Sequence, residues 1–93
     1  MFDVRRYVSA SGKDVIGEWL AHLNDIRARA RINARIACLA AGNFGDCKFL
    51  REGIFELRID YGPGYRVYLQ KVESAVVLLL CGGDKRRQSA DIQ

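Results

Sequence analysis

In the stretch FELRIDYGPGYRVYLQ, residues 55–70, two arginines, two carboxylates and a tyrosine recur at alternate positions. Glu56, Arg58 and Asp60 alternate with Phe55, Leu57 and Ile59, and beyond Gly62-Pro63-Gly64 the residues Arg66, Tyr68 and Gln70 alternate with Tyr65, Val67 and Leu69. A period of two puts each set on one face of a strand. A hairpin must bury both apolar sets on one side, so opposed positions are fixed. Ile59 then faces Tyr65, Leu57 faces Val67 and Phe55 faces Leu69; on the other side Asp60 lies near Gly64, Arg58 faces Arg66 and Glu56 faces Tyr68. Like charges directly opposite in a sheet cost a few tenths to about 1 kcal/mol. Either Glu56 and Asp60 neutralise the two arginines, or an anion does. A solvated face laced with salt bridges would produce the same alternation.

A second basic row lies upstream. Arg27, Arg31 and Arg35 are spaced i, i+4, i+8 and share one side of a helix, with Arg29 elsewhere. An ordinary solvated helix face has this pattern; so does a surface making salt-sensitive, non-specific contact with a phosphate backbone.

The elements that must carry these residues follow from periodicity. Residues 2–8 alternate weakly and predict a first strand. Ser11 and Asp14 have capping-box spacing before Val15, Ile16, Trp19, Leu20 and Leu23, which predicts a helix beginning at Ser11 with Trp19 as a core anchor. Asn24 is the expected cap of a second helix reaching about Ala41, with Ile32, Ile36 and Leu39 on one stripe and Gly42 as its stop. Residues 42–46 read as a loop, 48–51 as a short strand preceding the hairpin. Residues 75–81 are apolar without alternation, which predicts a strand buried on both faces, ending at Cys81 before a Gly82-Gly83 turn. A short helix is expected over 85–92. The fold class is α+β: a strand, then two helices packed on a small antiparallel sheet of four or five strands, with a short C-terminal helix.

The 93 residues suffice for one domain, 1–93, with a modest core, and 49% of them are hydrophobic. A net charge of +4 favours an anionic partner. No apolar run reaches membrane-spanning length, and the opening MFDVRRYVSAS lacks the apolar region of a secretory signal, so a cytoplasmic location is expected. Cys38, Cys47 and Cys81 are odd in number and show neither C-x-x-C nor Cys/His spacing. Reduced thiols fit better than a disulfide framework or a zinc site, and no metal or cofactor is expected. The lone histidine, His22, falls in a separate helix, so none of the cysteines is expected to act as a nucleophile.

Two strings, LAAGNFGDCKFLREGIFELRIDYGPGYRVY and LLLCGGDKRRQSADI, carry a family likeness. They resemble the RelE/ParE superfamily of bacterial toxin-antitoxin toxins, specifically the HigB-like addiction module killer proteins, which show similar G-N-x-G-D, E-L-R-I, G-x-R-V-Y and C-G-G-D-K segments. The likeness spans almost the whole chain. It implies a ribosome-dependent messenger-RNA endonuclease, metal-independent and held inactive by a cognate antitoxin; the alternatives within the superfamily are a gyrase poison or a catalytically inactive binding module. Arg58, Arg66 and Lys85 match positions where such toxins place cationic groups, and Arg86 and Arg87 extend that cluster. Attack of a ribose 2′-hydroxyl on its phosphate builds negative charge that these groups would stabilise. In that scheme Glu56 takes the proton, Lys85 supplies one to the leaving 5′-oxygen, and Tyr68 stacks on a base. The chain ends without the Tyr or His common near the C-terminus of such nucleases, which leaves Asp91 as the other carboxylate for the base. The remaining RNA contacts fall to Arg86, Arg87, Arg27, Arg31 and Arg35.

Overall fold

A sheet with one alternating apolar face is marginal until something covers that face, and here the covering layer comes from the two helices upstream. The structure, a computed structural model, describes residues 1–84. The elements run β1 (Asp3–Arg6), α1 (Val15–Ala21), α2 (Ile26–Ala40), β2 (Cys47–Arg51), β3 (Ile54–Ile59), β4 (Tyr65–Glu73) and β5 (Val76–Asp84). They make an α+β domain with a five-stranded mixed sheet in the order β1-β5-β4-β3-β2. The core lies between the layers. Ile16 and Leu20 of α1 and Ala28, Ile32 and Leu39 of α2 meet Leu57, Ile59, Tyr65, Val67, Leu69, Val77 and Leu79 of the sheet. Each of the larger aliphatic side chains so buried contributes roughly 1.5–3 kcal/mol.

The hairpin register is the one the alternation required. Ile59 pairs with Tyr65, Leu57 with Val67 and Phe55 with Leu69, while Arg58 pairs with Arg66 and Glu56 with Tyr68. Because β3 and β4 each put their apolar set against the helices, the charged set has only the opposite face to occupy. Upstream, Glu52 and Gly53 both adopt positive φ (50° and 78°), the conformation of a tight two-residue hairpin turn between β2 and β3.

Helix boundaries differ from the expectation at both N-termini. The first helix is capped by Asp14, whose side chain accepts from the Gly17 amide (3.1 Å), and not by Ser11. Ser11 is held by Ser9 (Oγ to Oγ, 3.0 Å) inside a turn in which Gly12 has φ 84°, a left-handed conformation that a helix cannot include. The second helix is capped by Asp25, which accepts from the amides of Arg27 and Ala28, and not by Asn24. Its C-terminus closes as expected: Gly42 (φ 86°) donates to the Leu39 carbonyl and Asn43 to that of Cys38, the paired bonds of a Schellman motif.

The sheet differs in two ways as well. The expected antiparallel sheet is mixed, because β1 runs parallel to β5, with Val4 beside Val77 and Arg6 beside Leu79. The two helices carry the chain from β1 to β2 at the far edge, and the antiparallel run β2–β4 leads back to β5 beside β1. The last strand does not end at Cys81 in a glycine turn but continues through Gly82 and Gly83 to Asp84, opposite Val67, Arg66 and Tyr65. Gly82 is there because Trp19 is. A Cβ at Gly82 would stand 2.3 Å from Trp19 ring atoms, and the same indole meets Tyr65 edge-on at 6.3 Å. The strand is also less enclosed than expected: Val77 and Leu79 are buried, Val76, Leu78 and Leu80 only half-buried. The helix expected over 85–92 lies outside the described residues, among which no helix is long and apolar enough to cross a membrane.

Two measurements check this layer. Gly82→Ala forces the added methyl into the Trp19 ring and is expected to cost about 1–3 kcal/mol in urea denaturation, an overpacking penalty; a variant as stable as the wild type would refute the close contact. Asp14 is held below its ordinary pKa of 3.8, first by the Gly17 amide and then by Arg6. A depressed value means that folding favours the ionised carboxylate, so its contribution is present above that pH and lost as the pH falls through the folded value. The gap in urea midpoint between wild type and Asp14→Ala is expected to be steady near neutrality and to narrow below pH 3.8.

Candidate functional site

The charged face of the hairpin has one buried carboxylate at its centre. Glu56 is 5% exposed, and its two oxygens are divided between two arginines: Oε1 lies 3.1 Å from Arg58 Nε and Oε2 lies 3.1 Å from Arg66 Nε. Strand pairing explains the geometry. Arg58 and Arg66 are direct cross-strand partners, and Glu56 sits two residues before Arg58 on the same face. The repulsion expected of opposed arginines is thus offset by a carboxylate between them. One negative and two positive charges leave the triad net positive. The two ion pairs differ in environment, the Arg58 side chain being 39% exposed and that of Arg66 15% exposed. Charges this far from water must be paired, and removing one partner strands the others.

In the next strand the cross-strand partner of Arg66 is Gly83. On the other side, the Arg58 amide donates to the Asp46 carbonyl (2.9 Å), bringing the loop before β2 alongside. The result is a cleft of about 220 Å³ lined by Asp46, Arg58, Ile59, Asp60, Gly64 and Arg66. It brings two guanidinium groups together with two exposed carboxylates, Asp46 and Asp60.

Arg35 secures this cleft from behind. Its guanidinium donates to the carbonyl oxygens of Arg58, Phe44 and Asp46, tying α2 to the end of β3 and to the loop before β2. The expected stripe of Arg27, Arg31 and Arg35 is therefore not a uniform phosphate-facing row. Arg35 is half-buried and spent on backbone carbonyls, Arg31 lies over the Tyr61 ring (4.6 Å to its centroid), and Arg27 is exposed in the first turn of α2.

The other expected positions divide plainly. Glu56, Arg58, Arg66 and Tyr68 share one face. Tyr68 is buried at 4% exposure beside Glu56 and offers no open ring for base stacking, which corrects that expectation. Lys85, Arg86, Arg87 and Asp91 lie outside the described residues. His22 donates from Nδ1 to the Glu18 carbonyl (2.7 Å) at the end of α1, a capping role. Cys38, Cys47 and Cys81 are reduced, and burial pushes the Cys47 thiol up, away from thiolate chemistry. Among the described residues no three His, Cys, Asp or Glu side chains gather as a metal site.

Residues that the sequence reading passed over are Asp46, Gly64, Tyr61 and the carbonyl-binding role of Arg35. Asp46 had a signal, since it ends the G-N-F-G-D loop immediately before β2 and so must fall at the sheet's end. Arg35 had none, because its partners lie up to 23 residues away.

Glu56→Ala is expected to lower stability by about 3 kcal/mol, the cost of stranding a mostly buried guanidinium, and Glu56→Gln, which keeps a hydrogen-bonding oxygen, by less. Urea denaturation measures both; a loss below about 1 kcal/mol for the alanine variant would mean that water screens the triad.

Comparison with known proteins places the chain without assigning its chemistry. No protein-family model matches it, and no solved structure matches it. A protein of Haemophilus influenzae described as uncharacterized is 59% identical over 75 residues, a match covering 81% of this chain and 76% of that protein. The chain belongs to the same family as that Haemophilus influenzae protein.

Proposed function

We propose that this chain is a HigB-like toxin of the RelE/ParE superfamily that cleaves messenger RNA on the ribosome and is held inactive by a cognate antitoxin in the cytoplasm. The observation that carries the reading is the pair of opposed arginines held at the floor of a cleft by one buried carboxylate. The segments E-L-R-I and G-Y-R-V-Y, which bear the family likeness, are the ones that supply those arginines.

In the reaction, the ribose 2′-oxygen attacks the adjacent phosphorus and the bond from phosphorus to the 5′-oxygen breaks. The products are a 2′,3′-cyclic phosphate and a 5′-hydroxyl; one proton leaves the 2′-hydroxyl and one reaches the 5′-oxygen. Charge accumulates on the non-bridging phosphate oxygens, and Arg58 and Arg66 present preorganised donors to them. Preorganisation comes from Glu56, which accepts from Arg58 Nε and lies 3.1 Å from Arg66 Nε. Glu56 therefore serves better as a positioning residue than as the proton acceptor, because each of its oxygens faces a guanidinium. Asp46 and Asp60, both exposed and both lining the cleft, are the carboxylates suited to take the proton.

Mapping messenger-RNA 5′ ends in the first minutes after induction tests the reading. New ends are expected with the wild type and a loss of about 10²- to 10³-fold in cleavage with Arg58→Ala, whose partly exposed side chain is the one least needed for folding. Unchanged messenger-RNA ends together with broken or supercoil-altered DNA would replace the nuclease by a gyrase poison. Growth arrest without either would indicate a binding module.

A further inference from the structure

On the opposite side of β3 from the arginine cleft lies a larger groove, about 370 Å³, lined by Arg31, Ala34, Arg35, Cys38, Ile59 and Asp60. It is not a separate place on the molecule. Ile59 and Asp60, the end of β3 and the first residue of the following loop, line both the groove and the cleft. Arg35 lines the groove while donating to the Arg58 carbonyl, so one side chain braces the wall between them.

We infer that the groove is a nucleotide subsite contiguous with the cleft, in which the Arg31 guanidinium, backed by the Tyr61 ring, is the platform on which one base of a single-stranded RNA stacks. The inference rests on reading the cleft as a phosphate site. Three features of the groove suit a nucleotide. Its floor of Ala34, Cys38 and Ile59 is apolar, as the flat face of a base requires. Its rim carries the Asp60 carboxylate, an acceptor for an exocyclic amino group or a ribose hydroxyl. Its wall is an exposed arginine held over a tyrosine at 4.6 Å, and RNA-binding proteins stack unpaired bases on guanidinium planes as well as on aromatic rings. Tyr61 acts through Arg31 as a positioning residue: its ring fixes a side chain that would otherwise sample many rotamers. The loop sequence D-Y-G-P-G makes this possible. Gly62 (φ 57°) and Gly64 (φ 86°) take the left-handed conformations that turn the chain, and the Gly64 amide closes the turn on the Tyr61 carbonyl (2.9 Å).

Amide NMR titration of the full chain separates the subsite from the cleft, with inorganic phosphate and a non-cleavable 2′-O-methyl octanucleotide as probes. Phosphate is expected to shift Gly64 and Arg66 and to leave Arg31, Ala34 and Tyr61 unmoved, whereas the octanucleotide shifts both groups. Arg31→Lys keeps the charge and removes the planar surface. It is expected to weaken the octanucleotide about five- to a hundredfold, the range for one stacked base, and to leave phosphate affinity unchanged. Tyr61→Ala should weaken the octanucleotide in the same direction, Tyr61→Phe should not, and the same spectra report whether each variant is folded. Octanucleotide shifts confined to the cleft, or an Arg31→Lys affinity equal to that of the wild type, would overturn the subsite. If Arg58→Ala changes the affinity of neither probe, the phosphate cleft itself fails, and the reading under Proposed function falls with it.

Discussion

Two arginines facing each other across a pair of β-strands are an arrangement that a sheet resists unless something of opposite charge stands between them. Here Glu56 does, and much of the architecture around the cleft follows from that requirement. The carboxylate is buried, so the two guanidinium groups must stay beside it. A slip of β4 against β3 by one residue would turn Arg66 into the apolar layer and expose Val67. A slip by two that set Arg66 opposite Asp60 would keep the faces but draw Arg66 away from Glu56, whereas the opposite slip would set Arg66 directly against Glu56 and Arg58 against Gly64. Hydrophobic burial excludes the one-residue slip, and the ion triad opposes the first of the two-residue slips. The register thus answers to both faces of the hairpin.

What holds the triad's surroundings in place comes from the other side of the sheet. Arg35 reaches from α2 to three carbonyl oxygens at the junction of β3 and the loop before β2. Backbone carbonyls at a strand end have no ladder partners, and a guanidinium with five donors can satisfy several at once. The helix layer that buries the apolar face therefore also trims the frayed end of the sheet where the cleft opens. Gly82 contributes in the last strand, where it yields its space to Trp19 on the helix side.

The sequence made the hairpin legible almost completely, because period-two alternation and a Gly-Pro-Gly break leave one register that buries Phe55, Leu57, Ile59, Tyr65, Val67 and Leu69 together. That register by itself brought Arg58, Arg66, Glu56 and Tyr68 to one face. Helix starts were less legible. Ser11 and Asn24 are good caps in isolation, but an aspartate better placed follows each, Asp14 three residues on and Asp25 the next, and the choice is made by Gly12's left-handed turn and by where the first buried residues must point. The parallel β1 was hidden because four residues with two arginines carry too little pattern to show which edge they join. The fate of Arg35 was hidden for a different reason. An i, i+4, i+8 row describes a helix surface but not what is packed against it, and three distant carbonyls turned one member of a basic stripe into part of the scaffold.

The triad also bears on proton chemistry. Arg58 Nε donates to one Glu56 oxygen and Arg66 Nε stands 3.1 Å from the other, so both oxygens are engaged by the arginines. On the proposed nuclease reading, the residue that holds the arginines in place is thereby poorly placed to cycle a proton at each turnover. Positioning and proton transfer are better assigned to different carboxylates, and the cleft has them: Glu56 beneath the arginines, Asp46 and Asp60 at the exposed rim. Asp60 lies furthest along that rim, on the boundary with the Arg31 groove. On the proposed reading, an RNA strand seated in both cleft and groove would lie against Asp60, so the reach of that carboxylate toward a 2′-hydroxyl would be set by how the neighbouring nucleotide is seated.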